Sequence, residues 1–317
     1  MLRYILNRII YLLPVLFIMS LVVFSFIHLI PGDPVDAILG LNASDEARAA
    51  VRKSLGLDRN IVVQYISWIG GVVSGDFGDS VVTGEPVLKL ILEKLPATLL
   101  LAFASILVSV FIAVFAGTIA AVNKGNWTDM SVLVLALAGI SVPVFWIAIL
   151  AVLAFSVTWP IFPSIGYVSP LEDPIAALRH LTLPALCMGA ALAGAIARMT
   201  RSEMIEQLGK DYIITARAKG LSPREVTYRH ALRNSLITVV TFTGLELGTL
   251  LGGAIIVETI FAWPGLGLTA IQSIFSRDYP MVQGIVLFLA FFFVFVNLLV
   301  DISYTFLNPQ IRLDNGK

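Results

Sequence analysis

Tyr212-Ile-Ile-Thr-Ala-Arg-Ala-Lys-Gly220, followed at once by Leu-Ser-Pro-Arg-Glu225, lies at the middle of a polar island from Arg198 to Arg233 between two long apolar segments. Eight Lys/Arg (Arg198, Arg201, Lys210, Arg217, Lys219, Arg224, Arg229, Arg233) outnumber four acids (Glu203, Glu206, Asp211, Glu225). Met204, Leu208, Tyr212 and Ala216 recur every four residues, with Ile205 and Ile213 beside them, and polar side chains occupy the other faces. This predicts an amphipathic helix that continues from the preceding apolar segment, with a break near Gly209. Gly220 suits the left-handed position just past a helix end. Ser222-Pro223-Arg224-Glu225 then restarts the chain, because Ser caps, Pro fits the first helical position and Glu closes a capping box. The expected form is helix, tight glycine turn, helix.

Working outward, the 317 residues are 58% hydrophobic and 13% charged, with a mean hydropathy of +0.90. Soluble domains carry roughly 25% charged residues, so the chain reads as an integral membrane protein. Net charge is zero, 21 Lys+Arg against 21 Asp+Glu, so the balance says nothing about nucleic acid, and no nucleic-acid partner is expected. The single cysteine, Cys187, excludes an internal disulfide and a cysteine-based metal cluster. A spanning helix needs about 20 mostly apolar residues. Six stretches qualify: Ile9–Ile30, Thr98–Val122, Ser131–Val157, Leu181–Met199, Leu236–Val257 and Met281–Leu307. The first is too long for a signal-peptide core and is read as a retained helix.

Orientation follows from the basic residues. With the N-terminus inside, cytoplasmic segments hold thirteen Lys/Arg: Arg3, Arg8, Lys124, the eight of the island, Arg312 and Lys317. The two short outer loops hold only Arg179 and Arg277. Both termini are therefore expected in the cytoplasm. The expected division is 1–97, a first transmembrane helix plus an extracytoplasmic segment, and 98–317, a five-helix core with the cytoplasmic loop 198–235. Within 31–97, Ser44-Asp45-Glu46 predicts a helix start, and Gly75-Asp-Phe-Gly78 and Thr83-Gly-Glu-Pro86 predict turns.

On physical grounds two readings of the island stand side by side. A basic loop can enforce topology and rest on anionic headgroups, or it can present a short rigid helix to a soluble partner. Thr215-Ala-Arg-Ala-Lys-Gly220 with His230-Ala-Leu-Arg-Asn234 resembles the EAA loop of ABC importer permeases, in the form taken by the dipeptide/oligopeptide/nickel branch. Against the general form of that loop, Ala216, Gly220 and Leu232 coincide. Similar to the same branch are Pro31-Gly-Asp-Pro34, Gly56-Leu-Asp58, Gly75-Asp-Phe-Gly78, Leu95-Pro-Ala-Thr98, Ile260-Phe-Ala-Trp-Pro-Gly-Leu-Gly267, Arg277-Asp-Tyr-Pro280 and Asn308-Pro-Gln-Ile-Arg312, in order along nearly the whole chain. The resemblance implies a binding-protein-dependent importer in the cytoplasmic membrane of a bacterium or archaeon. Its parts would be this permease, a second homologous permease, two ABC ATPase subunits that bind ATP and Mg²⁺, and an external solute-binding protein. It further implies that Thr215, Ala216, Arg217, Ala218, Lys219, Gly220 and Leu232 couple to the ATPase, and that peptides are the cargo. Nickel chelates, glutathione and oligosaccharides are the alternatives carried by relatives.

Glu246, midway along the fifth span, reads either as a pathway residue that attracts cationic cargo or as a hydrogen-bonded carboxyl at a helix contact. Gly244, Gly248 and Gly252 form a ridge that allows close helix approach. Trp263, Pro264, Gly265 and Gly267 read as a turn with an interfacial tryptophan, and by resemblance as part of an outer gate. Asp301 and Glu258 lie nearer the interfaces, where solvated or paired roles suffice. His28, His180 and His230 are too scattered for a metal site. The chain lacks Gly-x4-Gly-Lys-Ser/Thr, so it is not expected to hydrolyse ATP itself; it also lacks His-Glu-x-x-His and Gly-x-Ser-x-Gly, and neither a catalytic residue nor a cofactor of its own is expected. A secondary transporter and an intramembrane enzyme are the competing classes. The first often shows inverted repeats, of which none is visible, and the second needs a partner for Glu246 or Asp301.

Overall fold

The computed structural model describes residues 2–29, 35, 44–54, 56 and 58–307. Pro31-Gly-Asp-Pro34, Leu57, Asn308-Pro-Gln-Ile-Arg312 and Lys317 lie outside the described residues, as do the side chains of Arg3, Arg8, His28 and Asp301 and the surroundings of Gly248. Every regular element among the described residues is a helix. In chain order they are α1 (Leu2–Leu29), α2 (Asp45–Ser54), α3 (Ile61–Val73), α4 (Val87–Val122), α5 (Trp127–Ser141), α6 (Val144–Val152), α7 (Pro174–Leu208), α8 (Asp211–Ala218), α9 (Arg233–Ile260), α10 (Leu266–Phe275) and α11 (Tyr279–Leu307). A π-helical turn, Leu153–Thr158, extends α6, and a second, Val226–Leu232, leads into α9 from a helical start at Pro223–Glu225.

Among the described residues α4, α7 and the Tyr279–Val300 part of α11 are each long and apolar enough to cross a membrane. The expected span Ser131–Val157 is not one straight helix. It breaks into α5 and Val144–Thr158, bent by 100°. The cause is local: Pro143 cannot donate a backbone hydrogen bond, and the residue before a proline is pushed out of the helical region. Val142 accordingly turns extended, with φ −81° and ψ 126°.

The chain forms two compact units that do not follow chain order: 1–97 with 264–298, and 98–263 with 299–317. In the first, Val87, Ile91, Leu266, Ala270, Met281 and Ile285 form a buried core. A second cluster joins Val23, Val72 and Leu287. Phe17 and Phe24 meet Tyr65 edge-on, and the Tyr65 hydroxyl is 2.8 Å from Ser20 Oγ. Asp278 accepts from Met281 N at 3.3 Å, capping α11, and also from Val81 N at 3.2 Å and the Ser80 hydroxyl. One carboxylate thus starts a helix and pins the 80–86 turn to it.

The second unit holds the polar island. Asp173 caps α7 by accepting from Ile175 N and Ala176 N, both at 3.0 Å, with Pro174 at the first helical position. Helix α7 packs against α5, α6 and α9. A Cβ on Gly189 would stand 2.8 Å from Ser105 O, and one on Gly117 2.7 Å from Ala197 O. Small residues therefore set how closely α4 and α7 approach. At the far end of α9, Glu258 is fully buried and its Oε1 accepts from the Thr98 hydroxyl at 2.7 Å. Of the two roles expected for Glu258 the structure shows the paired one. In the glycine ridge, a Cβ on Gly244 would meet Val300 Cγ1 at 2.8 Å, whereas Gly252 faces nothing within 4 Å.

Candidate functional site

Helix α7 stops where Gly209 takes φ −90° and ψ −4°, and Lys210 turns extended at ψ 152°. The extended residue resets the helical phase. The four-residue stripe read through the break therefore fails at Tyr212, which is exposed while its neighbour Ile213 is fully buried; Ala216 stays in the core. The Tyr212 hydroxyl instead donates to Gln207 Oε1 at 2.8 Å and accepts from Asn234 Nδ2 at 3.2 Å.

Helix α8 ends in a Schellman motif. Leu221 N bonds to Ala216 O at 3.3 Å and Gly220 N to Arg217 O at 2.9 Å, with Gly220 at φ +81°. Leu221 packs in the same apolar cluster as Ala216, the contact that accompanies this motif. A reading in which a Cβ at Gly220 would obstruct the turn does not hold. Nothing lies within 4 Å of where its Cβ would be, so the demand for glycine comes from the positive φ, not from crowding. Immediately after, Glu225 N donates to Ser222 Oγ at 3.3 Å and Ser222 N to Glu225 Oε2 at 3.0 Å, a complete capping box. The hydrogen bond from the Ser222 hydroxyl, then that from its N–H, lowers the Glu225 pKa.

Both caps close over one core: Ala121, Met204, Ile213, Ala216, Val226 and Ala231 are buried together, with Leu232 packed against them. Of the residues expected to couple, Ala216 and Leu232 are thus anchors. Thr215, Arg217, Ala218, Lys219 and Gly220 are exposed along one edge of the hairpin. Ile214 stands among them, 61% exposed. The sequence reading missed it, because an isoleucine beside Ile213 looks like core until the phase of α8 is known.

A second feature was not legible. Asp129, only 3% exposed, accepts from Arg201 Nη2 at 2.7 Å and from Gly125 N at 2.9 Å. The guanidinium also reaches the other carboxylate oxygen through Nε, so the pair is bidentate. The Arg201 hydrogen bond first, then that of Gly125, lowers the Asp129 pKa from 3.8 to about 2. This bridge ties the α4–α5 turn to α7 about two turns before α7 ends at Leu208.

Glu246 is half-buried at the middle of α9. Trp263, expected in a turn as an interfacial tryptophan, is enclosed by the chain itself. It is fully buried, its ring edge-on to Tyr167 at 4.8 Å, and its backbone N–H donates to the Glu258 carbonyl at 2.8 Å. About 21 Å of helix separates Glu246 from Ile260, where α9 ends, so Glu246 and Trp263 are not one site. In the first unit, Pro264 is half-buried, Gly265 is the extended residue before α10, and Gly267 is buried in its first turn. The expected outer loop is therefore mostly helix.

The chain matches two family models. Residues 113–313 match the binding-protein-dependent transport system inner membrane component, and residues 1–102 the N-terminal part of such membrane components. Among curated proteins, a Brucella suis biovar 1 (strain 1330) protein whose given name places it in a peptide transport system is 45% identical over 98% of this chain and 99% of its own length. The di/tripeptide transport system permease protein DppB of Pseudomonas aeruginosa (strain UCBPP-PA14) is 42% identical, and the glutathione transport system permease protein GsiC of Escherichia coli (strain K12) 41%, each over 98% of this chain and 99% of its own length.

Proposed function

This chain belongs to the inner membrane components of binding-protein-dependent transport systems, and on that premise we propose that it passes di- or oligopeptides across the membrane by alternating access driven by separate ATPase subunits. The relatives reported above carry peptide and glutathione transport names, and glutathione is itself a tripeptide, so peptides come before nickel chelates and oligosaccharides. The chain crosses the membrane six times, with Ser131–Val157 as the broken span and both termini in the cytoplasm. A second permease, two ATPases that bind ATP and Mg²⁺, and an external binding protein complete the importer.

The observation that carries the coupling role is the doubly capped hairpin. A Schellman turn and a capping box fix α8 rigidly while Thr215, Arg217, Lys219 and Ile214 stay exposed. A loop that only set topology would need the charges but not the caps. A push on α8 would reach α7 through Gly209 and α9 through the Ser222–Leu232 segment, and Arg201–Asp129 would pass it on to α5. Gly220→Arg tests this. It places a long side chain in open space beside the exposed edge, so the chain should still reach the membrane while uptake is abolished. Normal uptake would overturn the coupling role of the hairpin.

A further inference from the structure

Two cavities of the second unit meet at Tyr228. One is an apolar groove of about 910 Å³ along α4, walled by residues from Leu107 to Thr118 and closed by Leu186 and Leu236. The other is a polar hollow of about 340 Å³ formed by Ser222, Arg224, Glu225 and Arg229. Tyr228 lines both, half exposed on the π-helical turn before α9. Leu107, Phe111 and Phe115 along the groove are 55%, 76% and 63% exposed.

We propose that this composite site holds one anionic phospholipid of the cytoplasmic leaflet, its acyl chain in the groove and its phosphate on Arg224 and Arg229. Leu107 to Thr118 spans about 16 Å of helix, close to half of the roughly 30 Å hydrocarbon core, so the groove is one leaflet deep. Its polar end is basic. Glu225 lies in the hollow, but its carboxylate is turned back onto Ser222 by the capping box, leaving two guanidinium groups beside it. Tyrosine at the junction of an apolar and a charged surface is where an interfacial aromatic belongs. Thr118 adds a fourth mark: its buried hydroxyl has no hydrogen-bond partner among the described residues, at the depth where the ester carbonyls of such a lipid lie. A peptide segment or second helix in the groove would explain the apolar wall but not the arginines at its end. The inference rests on the proposed membrane orientation and not on ATPase coupling, so Gly220→Arg and the test below fail independently.

The test is photolabelling of the full chain in phosphatidylcholine vesicles containing phosphatidylglycerol with a diazirine in its acyl chain, read out by peptide mass spectrometry. Label should concentrate on the peptides bearing Phe111, Phe115 and Tyr228. Unlabelled phosphatidylglycerol should displace it and added phosphatidylcholine should not. Arg224→Gln and Arg229→Gln should each lower labelling about fivefold, and together about 25-fold, as expected for two headgroup-contacting arginines. Lys89→Gln should leave it unchanged. Label spread equally over Phe103 and the groove, or displaced equally by phosphatidylcholine, would reduce the site to ordinary annular lipid and overturn the proposal. So would an unlabelled groove in which Phe111→Cys cross-links to a second permease in the assembled complex. The competition series uses the unaltered chain and decides the matter even where a variant fails to fold.

Discussion

Gly220 shows how one backbone angle can constrain a surface without any packing contact. Its φ of +81° costs an L-residue about 1–2 kcal/mol, yet a Cβ there meets nothing. Gly220→Ala should therefore keep much of the uptake that Gly220→Arg loses, a distinction a crowding argument would not make. Glu246 belongs to the same scale. If it attracts cargo, Glu246→Gln should reduce uptake of cationic peptides more than of neutral ones, and equal losses would remove it from the pathway. Asp129→Asn should lower thermal stability in detergent by about 1–3 kcal/mol, because it weakens charge-assisted hydrogen bonds at a buried site. The pH sign follows from a folded pKa held below the ordinary one. The Asp129–Arg201 contribution is complete above pH 3.8 and is lost as pH falls from there to about 2. A melting temperature that shifts with this pair between neutral and mildly acidic pH would contradict that account. Gly220 and the Ser222–Glu225 box were legible because their hydrogen bonds close within a few residues. Asp129 and Arg201 stand 72 residues apart with no local signature, so only the fold unites them.

At the scale of elements, apolar length was readable and helix phase was not. Hydropathy outlines α4, α7, α9 and α11, but the chain begins α4 eleven residues before the apolar stretch that marks it, carrying Pro96 inside the helix. The break at Val142–Pro143 was signalled by the proline itself, and it turns one expected span into two helices at 100°. The reset at Gly209–Lys210 decided which of Tyr212 and Ile213 is core, and a four-residue stripe cannot announce a break in its own phase. Glycines divide in the same way. Gly189 and Gly117 are used for close approach, as Gly244 is, whereas Gly252 on the same ridge is open. Gly189→Val should force α4 and α7 apart against Ser105 and Val108, so folded chain recovered from membranes should fall sharply. Gly252→Val should leave it near normal, and equal losses would show that spacing in sequence, not the observed contact, sets the helix approach.

For the whole molecule, the family is fixed by relatives more than 40% identical along nearly all of the chain, and the hairpin around α8 is the element we propose as the means by which such a component is driven from outside itself. Sequence motifs along nearly the whole length pointed to that family, while the compact units, which place 264–298 with 1–97, follow packing that no motif order reveals. The central claim is that this permease works only as part of an ATP-driven assembly held at its hairpin. The most direct test is affinity purification of the tagged chain from native membranes in mild detergent, with mass spectrometry of everything retained. Two Walker-containing ATPases and a second permease of the same family should come down with it. A chain recovered alone and intact would contradict the account and bring an ATP-independent transporter to the front.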